Sequence, residues 1–147
     1  MIRIFTTSKD KNLLNIGLLL LRVTAGSFLL THGLQKYNLL LKGGPIEFID
    51  PIGIGPSASL ILAVFAEVVC ALLLIVGFGT RVILVPLIIT MFVAVFIVHA
   101  SDGFVKQELG GLYLVIFIFL FLSGSGKYSI DRYIYKNNQN AIKSESE

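Results

Sequence analysis

Four long apolar blocks constrain this chain more than any other feature. They fall at about residues 13–34, 59–76, 82–98 and 109–122. A helix needs about 20 apolar residues to cross ~30 Å of hydrocarbon, and the first three blocks are close to that length. The fourth has about 14 clearly apolar residues, or roughly 21 Å of helix. Extending it back to residue 103 repairs the shortfall and brings Glu108 inside the outer half of the span. With 55% hydrophobic and 14% charged residues in 147, a single soluble domain could not bury this much apolar side chain. The expectation is an all-α, polytopic four-helix membrane bundle at residues 1–126, with spans at 13–34, 59–76, 82–98 and 103–122. A polar cytoplasmic tail at 127–147 would follow, its end disordered.

Basic residues supply an orientation. With both termini inside, the inner side holds Arg3, Lys9, Lys11, Arg81, Lys127, Arg132, Lys136 and Lys143, and the outer side holds Lys36, Lys42 and Lys106. Eight against three predicts N-in, C-in. The basic residues flank apolar blocks and form no stripe, which argues against nucleic acid as a partner. The first block is too long for the apolar region of a cleaved signal and lacks a small-x-small cleavage site after it. "GFGT" (77–80) is a tight turn joining spans two and three. Residues 35–58 form the long connection. Its glycines and prolines break any long helix, yet Ile46, Phe48, Ile49 and Ile52 are apolar, so a short interfacial helix over the outer end is expected there.

Two charges interrupt the blocks: Arg22 in "LLLLRVTAG" and Glu67 in "LAVFAEVVC". Each lies about ten residues from the cytoplasmic end of its span, which puts them at a common depth and suggests a structural ion pair. An unpaired charge near mid-bilayer costs at least ~2.5–3.5 kcal/mol. Small residues beside them permit close approach: Arg22, Gly26 and Gly33 share one helix face, and Ala63, Glu67 and Ala71 share another. Such a pair could simply lock the bundle or could floor a pocket.

On the outer side His32 ends span one, His99 ends span three, Glu108 opens span four, and Asp102 sits between the last two. These four are the candidate ligand or proton pocket. Imidazoles and carboxylates can relay protons or hydrogen-bond a quinone head group. No H-x-x-x-H or H-E-x-x-H spacing supports a metal, and none is expected. The single cysteine, Cys70, excludes a dithiol mechanism within one chain and reads as a small apolar residue. "FIFLFL" (117–122) reads as lipid-facing.

Taken in order, Arg22 leading to "THGLQKY", Glu67 leading to "GFGTR", His99, "QELGGLYL" (107–114) and "GSGKYSID" (124–131) resemble the DoxX family of small four-helix bacterial membrane proteins. The resemblance covers about residues 13–132. It implies residence in the bacterial cytoplasmic membrane and carries Arg22, Glu67, His99 and Glu108 as family positions. It also implies a subunit of a redox-related membrane complex, since some relatives serve thiosulfate:quinone oxidoreductases or complexes that handle oxidative stress. The implied partners are the bilayer, a quinone, and a second copy or another membrane subunit. The chain shows no cofactor or catalytic motif of its own. A different class, a non-catalytic scaffold or assembly factor, fits the same residues. A small transporter lacks the discontinuous helices such proteins use.

Overall fold

The structure is a computed structural model, and it describes residues 11–145. Arg3 and Lys9, part of the expected basic flank, lie outside the described residues, as do 146 and 147. Four helices are long and apolar enough to span a membrane: α1 (Lys11–Leu41), α2 (Pro56–Val76), α3 (Thr80–Val98) and α4 (Phe104–Ser123). A fifth, α5 (Ile130–Glu145), follows. The described residues contain no strand. Each spanning helix packs on its neighbours in sequence, and α1 also meets α4, giving an up-and-down four-helix bundle.

The core is a narrow stripe from each helix. Leu18, Ala25 and Leu29 of α1 meet Ala66, Ala71 and Leu74 of α2, Leu84 and Leu87 of α3, and Phe117 and Leu120 of α4. The opposite faces stay uncovered; Leu20, Phe28, Val82, Val115 and Leu122 are well exposed, as side chains that meet lipid would be. "FIFLFL" is therefore divided. Phe117 and Leu120 are fully buried, whereas Ile118, Phe119, Phe121 and Leu122 face outward.

The two ends of the bundle differ. At one end α2 stops at Gly77, which is left-handed (φ 71°). Its N–H and that of Phe78 bond back to Leu74 and Leu73, satisfying the last carbonyls of the helix. This is the "GFGT" turn, and its end of the molecule is here called the turn end. At the other, the loop end, residues 42–55 contain no helix. The expected interfacial helix does not form, because α1 itself continues to Leu41 and Gly43 and Gly44 then take positive φ before Pro45. The loop is held by Asp50, whose carboxylate accepts the N–H groups of Ile54 (3.0 Å) and Gly55 (2.8 Å) and the hydroxyl of Ser59 (2.8 Å). These bonds fix the entry to α2, which opens with Pro56 in its first turn. They also hold the Asp50 carboxyl below its ordinary range, the Ser59 hydroxyl contributing most.

The tail also departs from expectation. Residues 130–145 form a helix instead of a disordered end. Its start is tied to the turn: the Asp131 N–H donates to the Gly77 carbonyl (3.0 Å), while its carboxylate accepts from the N–H groups of Gly79 (2.7 Å) and Thr80 (3.0 Å), capping α3 from a distance. Pro86 lies in the interior of α3, which begins at Thr80. The Thr90 hydroxyl donates to its carbonyl (2.9 Å).

Candidate functional site

Close approach of backbones sets the register of α1 on α2. A Cβ at Gly26 would lie 3.1 Å from the Ala71 carbonyl oxygen, and one at Gly33 would lie 2.6 Å from that of Glu67. Arg22 is thereby brought level with Ile75 and Gly77, at the turn end. Glu67 is level with Gly33, eleven residues and roughly 16 Å further along α1. The expected Arg22–Glu67 ion pair is not formed. Counting inward from the ends of the apolar blocks placed the two charges at one depth, but α1 overhangs the turn and shifts the register by about three helical turns.

Each charge has other partners. Arg22 is 1% exposed. Its Nε donates to the Ile75 carbonyl (3.3 Å), Nη1 to that of Ser125, and Nη2 to that of Tyr128 (2.6 Å). All three nitrogens thus serve backbone carbonyls at the end of α2 and in the connection to α5. Close by, the Asn15 side-chain oxygen accepts the Lys127 N–H (2.7 Å). Asp131 contributes its charge to this region. Burial pushes its carboxyl up, but the N–H groups of Thr80 and Gly79 and the Arg22 charge together bring it below the ordinary range.

Glu67 is paired with Lys36, whose Nζ donates to both carboxylate oxygens. The Glu67 side chain is 5% exposed and that of Lys36 29%. Lys36 sits one turn beyond Gly33 on the same face of α1, so the backbone contact that seats Gly33 on Glu67 also brings the ammonium over the carboxylate. Glu67 lies in a π-helical stretch, Phe65–Cys70, and a second such stretch, Ala94–Val98, leads directly into His99. Wide π turns often accompany functional sites, because the extra residue re-aims side chains.

The pair separates two cavities. The first, about 300 Å³, lies under the long loop and is lined by Phe48, Ile49, Ile52, Leu62, Ile89 and Val93, with Ser59 and Thr90 as polar points. The second, about 250 Å³, lies toward α4 and is lined by Leu29, His32, Met91, Val95, Lys106 and Tyr113. Lys36, Glu67, Ala94 and His99 line both.

Of the four rim residues expected from sequence, the structure brings His32 and His99 to a common cavity. Asp102 joins through His99: its Oδ2 is 2.8 Å from His99 Nδ1 and 3.4 Å from Lys106 Nζ. The His99 bond and then the Lys106 ammonium hold the Asp102 carboxyl below its ordinary range. An ionised Asp102 can only accept, so His99 Nδ1 supplies the proton of this bond. Glu108 is exposed on the second turn of α4 and lines neither cavity. Its neighbour Gln107 turns inward and donates to the His99 carbonyl (2.8 Å). Tyr113 is buried, stacks on Phe117 and lines the second cavity. Among the described residues no three His, Cys, Asp or Glu side chains stand together in a way that would hold a metal. Lys36 is the site residue that sequence reasoning missed, since its position reads as part of the long connection and not of α1. Its signal was present: a lysine one turn past the small-residue face that carries Gly26 and Gly33.

An all-helical bundle of four lipid-length helices with a charged pair and two cavities near one end defines a small multi-pass membrane protein. The chain belongs to the DoxX family, whose profile matches residues 17–100. It is 31% identical to "Putative oxidoreductase CatD" of Bacillus subtilis over 126 residues, covering 85% of this chain and 92% of that protein. It is 33% identical to "Uncharacterized membrane protein Rv3486" of Mycobacterium tuberculosis over 134 residues, covering 79% of this chain and 80% of that one. No solved structure matches.

Proposed function

We propose that the protein is a membrane subunit of a redox-related complex, and that its loop-end cavity takes a quinone or a similar flat ligand with an apolar body and a polar head. The cavity of about 300 Å³ under the long loop carries this reading. That volume is at the lower end of the range for small-molecule sites, which are mostly apolar with few polar groups. Here the apolar groups are Phe48, Ile49, Ile52, Leu62, Ile89 and Val93, and the polar ones lie at its inner wall, Lys36, Glu67 and His99. The name of the Bacillus subtilis relative agrees with a redox setting.

The residues suit such a ligand. A quinone supplies reversible two-electron, two-proton chemistry when bound. The Lys36 ammonium has three N–H donors, two of which serve Glu67, and the third can reach a ligand carbonyl. Glu67, buried beside the cavity, can accept a proton from a ligand hydroxyl. His99 is poised by Asp102 to exchange a proton at Nε2 toward either cavity. The basic bias of the sequence supports an N-in, C-in orientation in the bacterial cytoplasmic membrane, with this site on the outer side.

A short-chain benzoquinone or naphthoquinone analogue, added to the full chain in uncharged detergent, should raise its unfolding temperature. Leu62→Trp, at the half-exposed cavity mouth, should abolish that rise while leaving the unliganded unfolding temperature near wild type. No rise with either analogue, or an equal rise in Leu62→Trp, would reject the site.

A further inference from the structure

At the turn end a groove of about 1040 Å³ runs between the start of α1, the first turn of α3, the connection after α4, and α5. Five cations from these four segments line it: Lys11, Arg81, Lys127, Arg132 and Lys136. None forms a salt bridge with another described residue; the pairs Lys36–Glu67, His99–Asp102 and Lys106–Asp102 lie at the loop end. The one acid in the lining is Asp131, and both its oxygens are engaged by the N–H groups of Gly79 and Thr80. Among the described residues the groove therefore carries an excess of positive charge, five cations against one carboxylate.

Its depth in the membrane follows from the fold. Asp131 pins the start of α5 to the "GFGT" turn, where α2 ends and α3 begins, so the groove sits where spans end and lipid phosphates lie. Beyond that anchor α5 is uncovered by the rest of the chain. Tyr128, Ile130, Tyr133 and Ile134 are exposed beside the cations, and Lys127 and Arg132 lie 5.9 and 5.5 Å from the rings of Tyr128 and Tyr135. Aromatic rings mixed with Lys and Arg on a helix of low overall hydrophobicity are what a helix lying in the headgroup layer needs.

We propose that this groove and the first turns of α5 bind the phosphate headgroups of acidic lipids, so that α5 lies along the membrane surface. Charge complementarity selects the occupant: five cations, facing one carboxylate, meet phosphodiesters at the level where a bilayer supplies them. The same field would attract a soluble phosphate compound, but that would leave the apolar side chains of α5 in water.

The chain contains no tryptophan, so Tyr133→Trp gives a single reporter. The full-length reporter would be placed in nanodiscs of phosphatidylcholine alone or with phosphatidylglycerol. Blue-shifted emission is expected with phosphatidylglycerol, together with quenching by lipids nitroxide-labelled near the headgroup. Adding Arg81→Gln, Lys127→Gln, Arg132→Gln and Lys136→Gln should reduce the quenching severalfold. High salt on the unsubstituted reporter should do the same without any risk to folding. Equal emission in both lipids, or quenching that survives both high salt and the substitutions, would overturn the proposal. So would an equivalent shift produced by inorganic phosphate or ATP in phosphatidylcholine discs, which would make the site one for soluble phosphates.

Discussion

The turn end and the loop end hold a cation each, Arg22 buried and Lys36 partly exposed, in different chemical company. Arg22 faces three backbone carbonyls, while Lys36 faces one carboxylate. A guanidinium never loses its proton in a protein, and its planar fork can hold several acceptors at fixed angles. Arg22 therefore works as a staple, joining the end of α2 to the chain that leads into α5. A lysine–glutamate pair is made by two flexible side chains that can exchange partners. Lys36 and Glu67 also form a wall between two cavities, where such an exchange has room to occur. The two ends thus differ in whether the cation's partners are backbone carbonyls or a side-chain carboxylate beside open space.

Arg22→Met breaks the first half of that comparison and should have the largest effect. It leaves the carbonyls of Ile75, Ser125 and Tyr128 without their donor, a loss of about 3–5 kcal/mol in detergent unfolding. Gly77→Ala should come next, at about 2–4 kcal/mol. The residue is left-handed, and an added Cβ would lie 2.6 Å from Arg22 Nη1, so backbone strain and a displaced staple add together. At the loop end, Gly33→Ala forces apart two backbones and should cost about 1–3 kcal/mol. It should also weaken quinone-analogue stabilisation, whereas Gly77→Ala should leave the ligand-induced rise in unfolding temperature intact.

Asp131→Asn tests the capping of α3 and should cost about 1 kcal/mol. Because the folded carboxyl titrates below its unfolded value, its contribution is fully present above the ordinary carboxylate range. It is lost as pH falls through the lowered folded value. The wild-type protein should thus lose stability on acidification in that window, and the asparagine variant should lose less there.

The helix faces were legible in the sequence, but their register was not. Gly26 and Gly33 do seat α1 on the Ala71 and Glu67 backbones, as the small-residue faces imply. Block length hid the offset between them. Residues 35–41, "QKYNLLL", read in the sequence as part of the long connection, yet they continue α1 to Leu41, because a helix emerging from hydrocarbon needs no further apolar side chains. At 31 residues α1 measures roughly 46 Å and must overhang the bundle. The interfacial helix is missing because α1 runs on to Leu41 and Gly43 and Gly44 then turn the chain, while the ordered tail rests on bonds that sequence patterns do not reveal, Asp131 reaching back to Gly79 and Thr80. Among the rim residues, adjacency in the chain placed Asp102 and His99 together correctly. It could not tell that Gln107 turns inward while Glu108 turns out.

Two double-mutant cycles that share Glu67→Gln test the central claim most directly, one with Lys36→Met and one with Arg22→Met, both read by unfolding in the same detergent. The predicted result is coupling of about 0.5–2 kcal/mol between Lys36 and Glu67, and additivity within about 0.5 kcal/mol between Arg22 and Glu67. Coupling of Glu67 to Arg22, with none to Lys36, would contradict the account.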